Sequence, residues 1–182
     1  LDPKRMAPRL PARPDDALSV QAEFGIAAAR KAMAHAGIEP GDIDLVICSC
    51  SHLQRPYPAI AIEMQQALGT RGAAFDMGLG CSSAAAALHM AVNLVRSGGQ
   101  KRVLVVTPEI TTGHLNFRDR QTHFIFGDAA VSMVVEAVEG DDVRPGRFEV
   151  LDTRLWTQLS SNIRTNLGYL TRTAQDDPYM ID

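Results

Sequence analysis

Residues 73–99 read AAFDMGLGCSSAAAALHMAVNLVRSGG, and the fold turns on how this stretch is parsed. A short apolar run, AAFDM, is followed by GLG, one cysteine, two serines and an alanine-rich segment ending at Gly98 and Gly99. The parse is a strand, a sharp turn carrying Cys81, and a helix over 82–97. Gly78 and Gly80 on one side and Ser82 and Ser83 on the other leave room around the sulfur, which a cysteine wanted for bulk would not need. A helix start offers free amide N–H groups and the positive end of the helix dipole, and so favours an anion. Thiols in such positions have pKa values lowered to about 3.5–7.5.

The arrangement is similar to a nucleophile elbow, with Ser83 where the hydrolase version has its second glycine. The alanines let the helix pack closely on another element. The other reading of Cys81 is an inert, buried thiol at a tight junction, where free cysteines are common.

Outward from this core the chain alternates. Asp16 or Ser19 caps a helix that runs to about Ala36, with Phe24, Ala28 and Ala32 on one face and Gly37 as its stop. Residues 43–50, IDLVICSC, form a nearly continuous apolar run, as in a buried strand. Pro56 and Pro58 break the following loop, and AIAIEMQQAL is a short helix ended by Gly69. KRVLVVTPE is a further buried strand, followed by a polar loop over about 110–121. AAVSMVVEAV and RFEVLDTRLW read as strands separated by the polar turn EGDDVRPG. Strand, helix, strand, helix, strand favours an α/β layer with parallel strands.

The 182 residues, 46% hydrophobic and 21% charged, suffice for one compact domain with a core. A net charge of -3 without basic runs argues against a nucleic-acid binder. No apolar segment reaches the roughly 18–20 residues of a membrane helix. Three cysteines, Cys48, Cys50 and Cys81, read as reduced thiols of a cytoplasmic protein. CSCSH (Cys48, Cys50, His52) has the composition of a metal cluster without its spacing, and core packing is the better reading; no metal site is expected. The proline- and arginine-rich opening and the close on AQDDPYMID both read as cut ends of a longer protein.

FDMGLGCSSAAAALHMAVNLVRSGGQKRVLVVTPE and RDRQTHFIFGDAAVSMVVEA, with AARKAMAHAGIEPGDIDLVI and RPYPAIAIEMQQALG before them, resemble β-ketoacyl-acyl-carrier-protein synthase III of the thiolase superfamily. The resemblance runs over about residues 17–138. Beyond Glu139, DTRLWTQLSSNIRTNLGYL looks most like the branch that extends medium-chain starters.

The resemblance implies a layered αβαβα fold of two similar halves, working as a cytoplasmic homodimer, of which this chain is mainly the first. Residues 1–16 would be an irregular lead-in. Residues 17–138 would be the N-terminal domain with the nucleophile, and 139–182 the start of the linking, acyl-pocket region. It implies that Cys81 takes an acyl group from acyl-CoA and condenses it with malonyl-acyl-carrier protein by decarboxylative Claisen chemistry, without a cofactor.

By the same resemblance Arg120 stacks on the adenine of CoA, the other reading being a solvated loop arginine. Tyr57 stands where the family usually has Phe, reaching across a dimer interface into the partner's acyl pocket. Phe126, with Met77 or Leu79, would line the pocket. His35, His52, His89, His114 and His123 match neither the family's catalytic His nor its Asn. The family's clamp tryptophan would precede Leu1; Trp156 reads instead as a strand-edge core or interface residue. Arg55, Arg102 or Arg118 would help to dock an acidic carrier protein, unless they are merely solvated charges. The competing readings are another thiolase-superfamily enzyme (hydroxymethylglutaryl-CoA synthase- or polyketide synthase-like) and a non-catalytic, dimerising or carrier-binding fragment.

Overall fold

A computed structural model of the chain describes residues 13–115, 117, 120, 123–138, 140, 145–160 and 162. Most of the lead-in, Arg118 and residues 163–182 lie outside them. One mixed sheet forms the centre, with strands in the order β2 (Ala73–Met77), β1 (Leu45–Ser49), β3 (Arg102–Ile110) and β4 (Asp128–Glu136). β1 runs parallel to both β2 and β3, pairing Leu45 with Ala73 and with Val103.

Helices cover both faces. Alternation along β1 sends Val46 and Cys48 to a core with α1 (Val20–Ala36) and α2 (Ile60–Leu68). Leu45 and Ile47 go to a second core with Ala87, Ala91 and Val95 of α3 (Ser83–Arg96). Burial on both sides is why this strand reads as an unbroken apolar run rather than an alternating one. The predicted helix stops hold: Gly37 and Gly69 close α1 and α2 in the left-handed region, where a side chain would be strained.

Three expectations are corrected. β4 is antiparallel to β3, with Arg102 opposite Glu136 and Ile110 opposite Asp128, so the sheet is not all parallel. Its connection from β3 contains no described crossover helix, only the short helical turn Thr111–His114, and a strand returning directly must run the other way.

Second, residues 147–156 form no strand. They leave the sheet and run along α3, where the Arg96 guanidinium donates to the carbonyls of Val150 and Leu151 at 2.8 and 3.0 Å. Phe148 and Trp156 are largely exposed, so Trp156 is neither a strand-edge nor a core residue within the described chain.

Third, α1 buries Ala22, Gly25, Ala29 and Met33, and Phe24 is 41% exposed. The buried stripe is set by Gly25, where a Cβ would lie 2.3 Å from the Met64 sulfur. α1 meets α2 and β3 closely there, and a larger residue would require the Met64 side chain to shift.

Candidate active site

The carboxyl ends of the three parallel strands lie at one end of the sheet: Ser49 and Met77 end level, and β3 runs on past Val106 to Ile110, beside which β4 starts. The segments carrying Tyr57, Cys81, Arg120 and Phe126 all leave the sheet at this end. The loop after β1 carries Tyr57, the turn after β2 carries Cys81, and the loop after β3 carries Arg120 and Phe126. Crevices outside the carboxyl ends of parallel strands are where open α/β sheets bind ligands.

Cys81 lies in a helical turn, Gly80–Ser82, that leads directly into α3. Its thiol is free and exposed, which removes the reading of a buried, inert cysteine. Gly80 takes φ +57, allowing the chain to reverse from strand to helix within a few residues.

The turn is fastened by Ser83. Its buried hydroxyl accepts from the Leu79 N–H at 2.9 Å and donates to the Gly80 carbonyl at 2.7 Å, with the Cys50 carbonyl 3.1 Å away. Ser49 at the end of β1 donates its hydroxyl to the Ser83 carbonyl at 2.8 Å. The serine that replaces a glycine of the hydrolase elbow is thus the clasp of this one.

Asp76, a carboxylate inside β2, caps the neighbouring helix. Its oxygens accept from the Ile60 and Ala61 N–H groups at 2.8 and 2.7 Å, the first turn of α2, whose own N-cap is Ala59. Burial pushes the Asp76 carboxyl above the usual carboxylate range, against the pull of the two N–H donors. A sequence signal existed: PAIAIE opens a helix with no capping side chain, so the cap had to come from elsewhere.

Tyr57 is 87% exposed, at the tip of the loop between β1 and α2, and its peptide bond to Pro58 is cis. Phe126 and Arg120 are exposed too. Among the described residues no hydrogen bond or ion pair joins Cys81, Tyr57, Arg120 and Phe126; what they share is the rim of the sheet. Nearby, the His123 ring lies 6.3 Å from Phe117 and meets Phe124 edge-on at 5.7 Å, an aromatic group the sequence reading passed over. Met77 is partly buried against the α3 core and Leu79 is exposed.

Cys48 and Cys50 are buried, and burial beside Cys50 pushes the Cys48 thiol far up. Cys50 donates its thiol to the His52 carbonyl at 3.3 Å. Glu109, at the end of β3, accepts from the Ser51 N–H. Asp128 accepts from the Thr112 N–H and hydroxyl at 2.9 and 2.6 Å, tying the start of β4 to the turn after β3. Two of the arginines offered for docking are committed internally. Arg102 pairs with Glu136 at 2.7 Å, and Arg55 pairs with Glu63 at 3.4 Å while donating to the carbonyls of Asp15 and Ala17.

Comparison with known proteins gives a consistent picture. The family model described as 3-oxoacyl-[acyl-carrier-protein (ACP)] synthase III matches residues 75–155. The chain is 50% identical, over 94% of its length and 49% of the relative's, to a beta-ketodecanoyl-acyl-carrier-protein synthase of Pseudomonas aeruginosa. It is 42% identical, over 73% of its length and 41% of the relative's, to a beta-ketoacyl-acyl-carrier-protein synthase III of Brucella anthropi. Among solved structures, the priming β-ketosynthase of the R1128 polyketide pathway superposes with a TM-score of 0.64 at 35% identity. That superposition covers 71% of this chain and 38% of the other. The Aquifex aeolicus 3-oxoacyl-acyl-carrier-protein synthase III gives 0.64 at 30% identity, covering 70% and 41%. The chain spans about half the length of the relatives it matches.

Proposed function

Because the chain belongs, over the length it spans, to the 3-oxoacyl- (β-ketoacyl-) acyl-carrier-protein synthase III family, we propose that it is the nucleophile-bearing half of an acyl-CoA-primed condensing enzyme of fatty acid biosynthesis. The observation that carries this reading is the accessible Cys81 thiol on a clasped turn at the carboxyl end of the parallel strands.

The Cys81 thiolate attacks the carbonyl carbon of acyl-CoA, the tetrahedral oxyanion collapses, and CoA departs as its thiol, leaving an acyl thioester on the enzyme. The Cys81 backbone N–H, by family resemblance, is one donor to that oxyanion. Malonyl-carrier protein then loses CO₂, and the resulting enolate carbon attacks the thioester. The β-ketoacyl-carrier protein forms and Cys81 leaves as thiolate, so no redox or metal cofactor is called for.

Arg120 stacks on the adenine of CoA, and Tyr57 and Phe126 bound the acyl chain, Tyr57 from the partner subunit of a homodimer. The relative's name, beta-ketodecanoyl synthase, and the character of residues 152–170 both favour medium-chain starters. Residues 17–138 are the N-terminal thiolase-like domain, with residues 139–182 opening the acyl-pocket region. The working compartment is the cytoplasm, in keeping with three cysteines that are all free thiols; no helix of the described residues is long and apolar enough to cross a membrane.

Labelled acyl-CoAs of graded length test the reading. The intact protein acquires label on Cys81, best with medium chains, and Cys81→Ala abolishes it; label that persists in Cys81→Ala rejects the assignment. The 182 residues alone perform no condensation, since none of their histidines matches the family's catalytic one.

A further inference from the structure

Gln21, in the first turn of α1, is 1% exposed, yet all its amide groups are engaged. Its Nε2 group donates to the carbonyls of His52 and Pro108, both at 2.8 Å, with the Cys50 sulfur at 3.3 Å. Its Oε1 accepts from the Gln54 N–H at 2.9 Å, and its own backbone N–H donates to Gln54 Oε1 at 3.2 Å. A neutral amide has two N–H hydrogens and one oxygen to offer, and here both kinds are used on main chain from two other segments.

Burying a glutamine costs desolvation that a leucine of similar size would avoid, so packing α1 against the sheet does not by itself call for this residue. The contacts say what does. They bolt residues 50–54, the first half of the loop after β1, to α1 and to the end of β3. The far end of the same loop is held by Asp76 through Ile60 and Ala61. Between these anchors Arg55 is tied to Asp15, Ala17 and Glu63. What projects from the clamped loop is Pro56, Tyr57 and Pro58, all exposed. Cys50, gripped through its sulfur by Gln21, is also the residue whose carbonyl lies 3.1 Å from the Ser83 hydroxyl in the Cys81 turn. One side chain therefore ties the Tyr57 loop and the nucleophile turn to a common frame.

We infer that Gln21 is a positioning residue that sets where Tyr57 stands relative to the Cys81 turn, and through it the acyl length the enzyme accepts. This rests on the roles proposed above for Cys81 and Tyr57.

The test is steady-state kinetics of the intact protein with acetyl-, octanoyl- and lauroyl-CoA, comparing wild type with Gln21→Leu. KM for the preferred acyl-CoA rises about tenfold, with kcat changing far less, and the preference among the three lengths flattens. An unchanged length profile, with or without a fall in Tm, makes Gln21 a merely structural residue and overturns the inference. Should Gln21→Leu not fold, Gln21→Met carries the test, because it keeps the unbranched length of the side chain while removing its donors to the His52 and Pro108 carbonyls. A shift in the same direction at unchanged Tm supports the inference, and an unchanged profile overturns it. A wild-type protein that takes no label on Cys81 overturns both this inference and the functional reading, and is told apart because the failure appears without any substitution.

Discussion

Ser83 clasps the turn that carries Cys81. Its hydroxyl satisfies the Leu79 N–H and the Gly80 carbonyl at once, and its carbonyl receives the Ser49 hydroxyl. Ser83→Ala takes the partner from the part-buried Leu79 N–H and Gly80 carbonyl while the Ser49 bond to the main-chain carbonyl stays, at a cost of about 1 kcal/mol. The turn then loosens, and small displacements of a nucleophile are expensive for rate. Denaturant unfolding should show the stability loss, and the rate of acyl transfer onto Cys81 should fall roughly tenfold or more. In the sequence Ser83 looked like a departure from a glycine-flanked elbow. Nothing local in CSSAAAA marks it as the residue that ties the turn to β1, because those contacts are with Cys50 and Ser49, more than thirty residues earlier.

At the scale of elements, α2 and β2 are joined by Asp76. Asp76→Ala deprives the first turn of α2 of its acceptor and lowers stability by about 1–2 kcal/mol. Asp76→Asn keeps one carbonyl oxygen for two N–H donors and falls between. The pH dependence has a definite sign. The folded chain holds the Asp76 proton more tightly than the unfolded chain, whose carboxyl titrates near 3.8. The stability advantage of wild type over Asp76→Asn is therefore greatest in acid and shrinks as pH rises above that value. Denaturation midpoints of the two proteins across this range check it; an advantage growing with pH would contradict it.

Elements whose signals are local were legible in the sequence. Gly37 and Gly69 stop helices because a single residue's φ decides it, and Leu45–Cys48 of β1 and Val103–Val106 of β3 are unbroken apolar runs because helices cover both faces of the sheet. Elements defined by their partners were not. RFEVLDTRLW has the alternation of a strand, but it pairs with neither edge of the sheet, and Arg96 holds it along α3 instead. Phe24 appeared to lead the buried face of α1, whereas the close approach at Gly25 turns the helix so that Ala22, Ala29 and Met33 go in. The exposure of Cys81 was legible for a local reason, since small residues flank it; the Gln21 and Asp76 contacts and the Ser49–Ser83 bond around it link segments far apart in the chain.

For the whole molecule, the placement of Tyr57 at an exposed tip leads to a prediction about two subunits together. If Tyr57 closes the partner's acyl pocket, Cys81→Ala and Tyr57→Ala chains are each defective when alone. Refolded as a mixture, they form mixed dimers in which one site combines an intact Cys81 with the tyrosine of the other chain. Medium-chain acylation should reappear in the mixture; if it does not, Tyr57 acts within its own subunit or not at all.

The sheet also divides the molecule into two ends of unequal freedom. All the chemistry projects from the rim where the parallel strands finish, while the opposite rim consists of the short connections at 37–44, 69–72 and 97–101. These are not interchangeable as attachment points. Gly72 is pressed against Asp44, where a Cβ would lie 2.0 Å from the carbonyl oxygen, whereas nothing stands within 4 Å of a Cβ at Gly98. A dye or an affinity handle inserted beside Gly98, which itself must stay glycine at φ +74, would trail into open solvent, with the length of α3 between it and the Cys81 thiol.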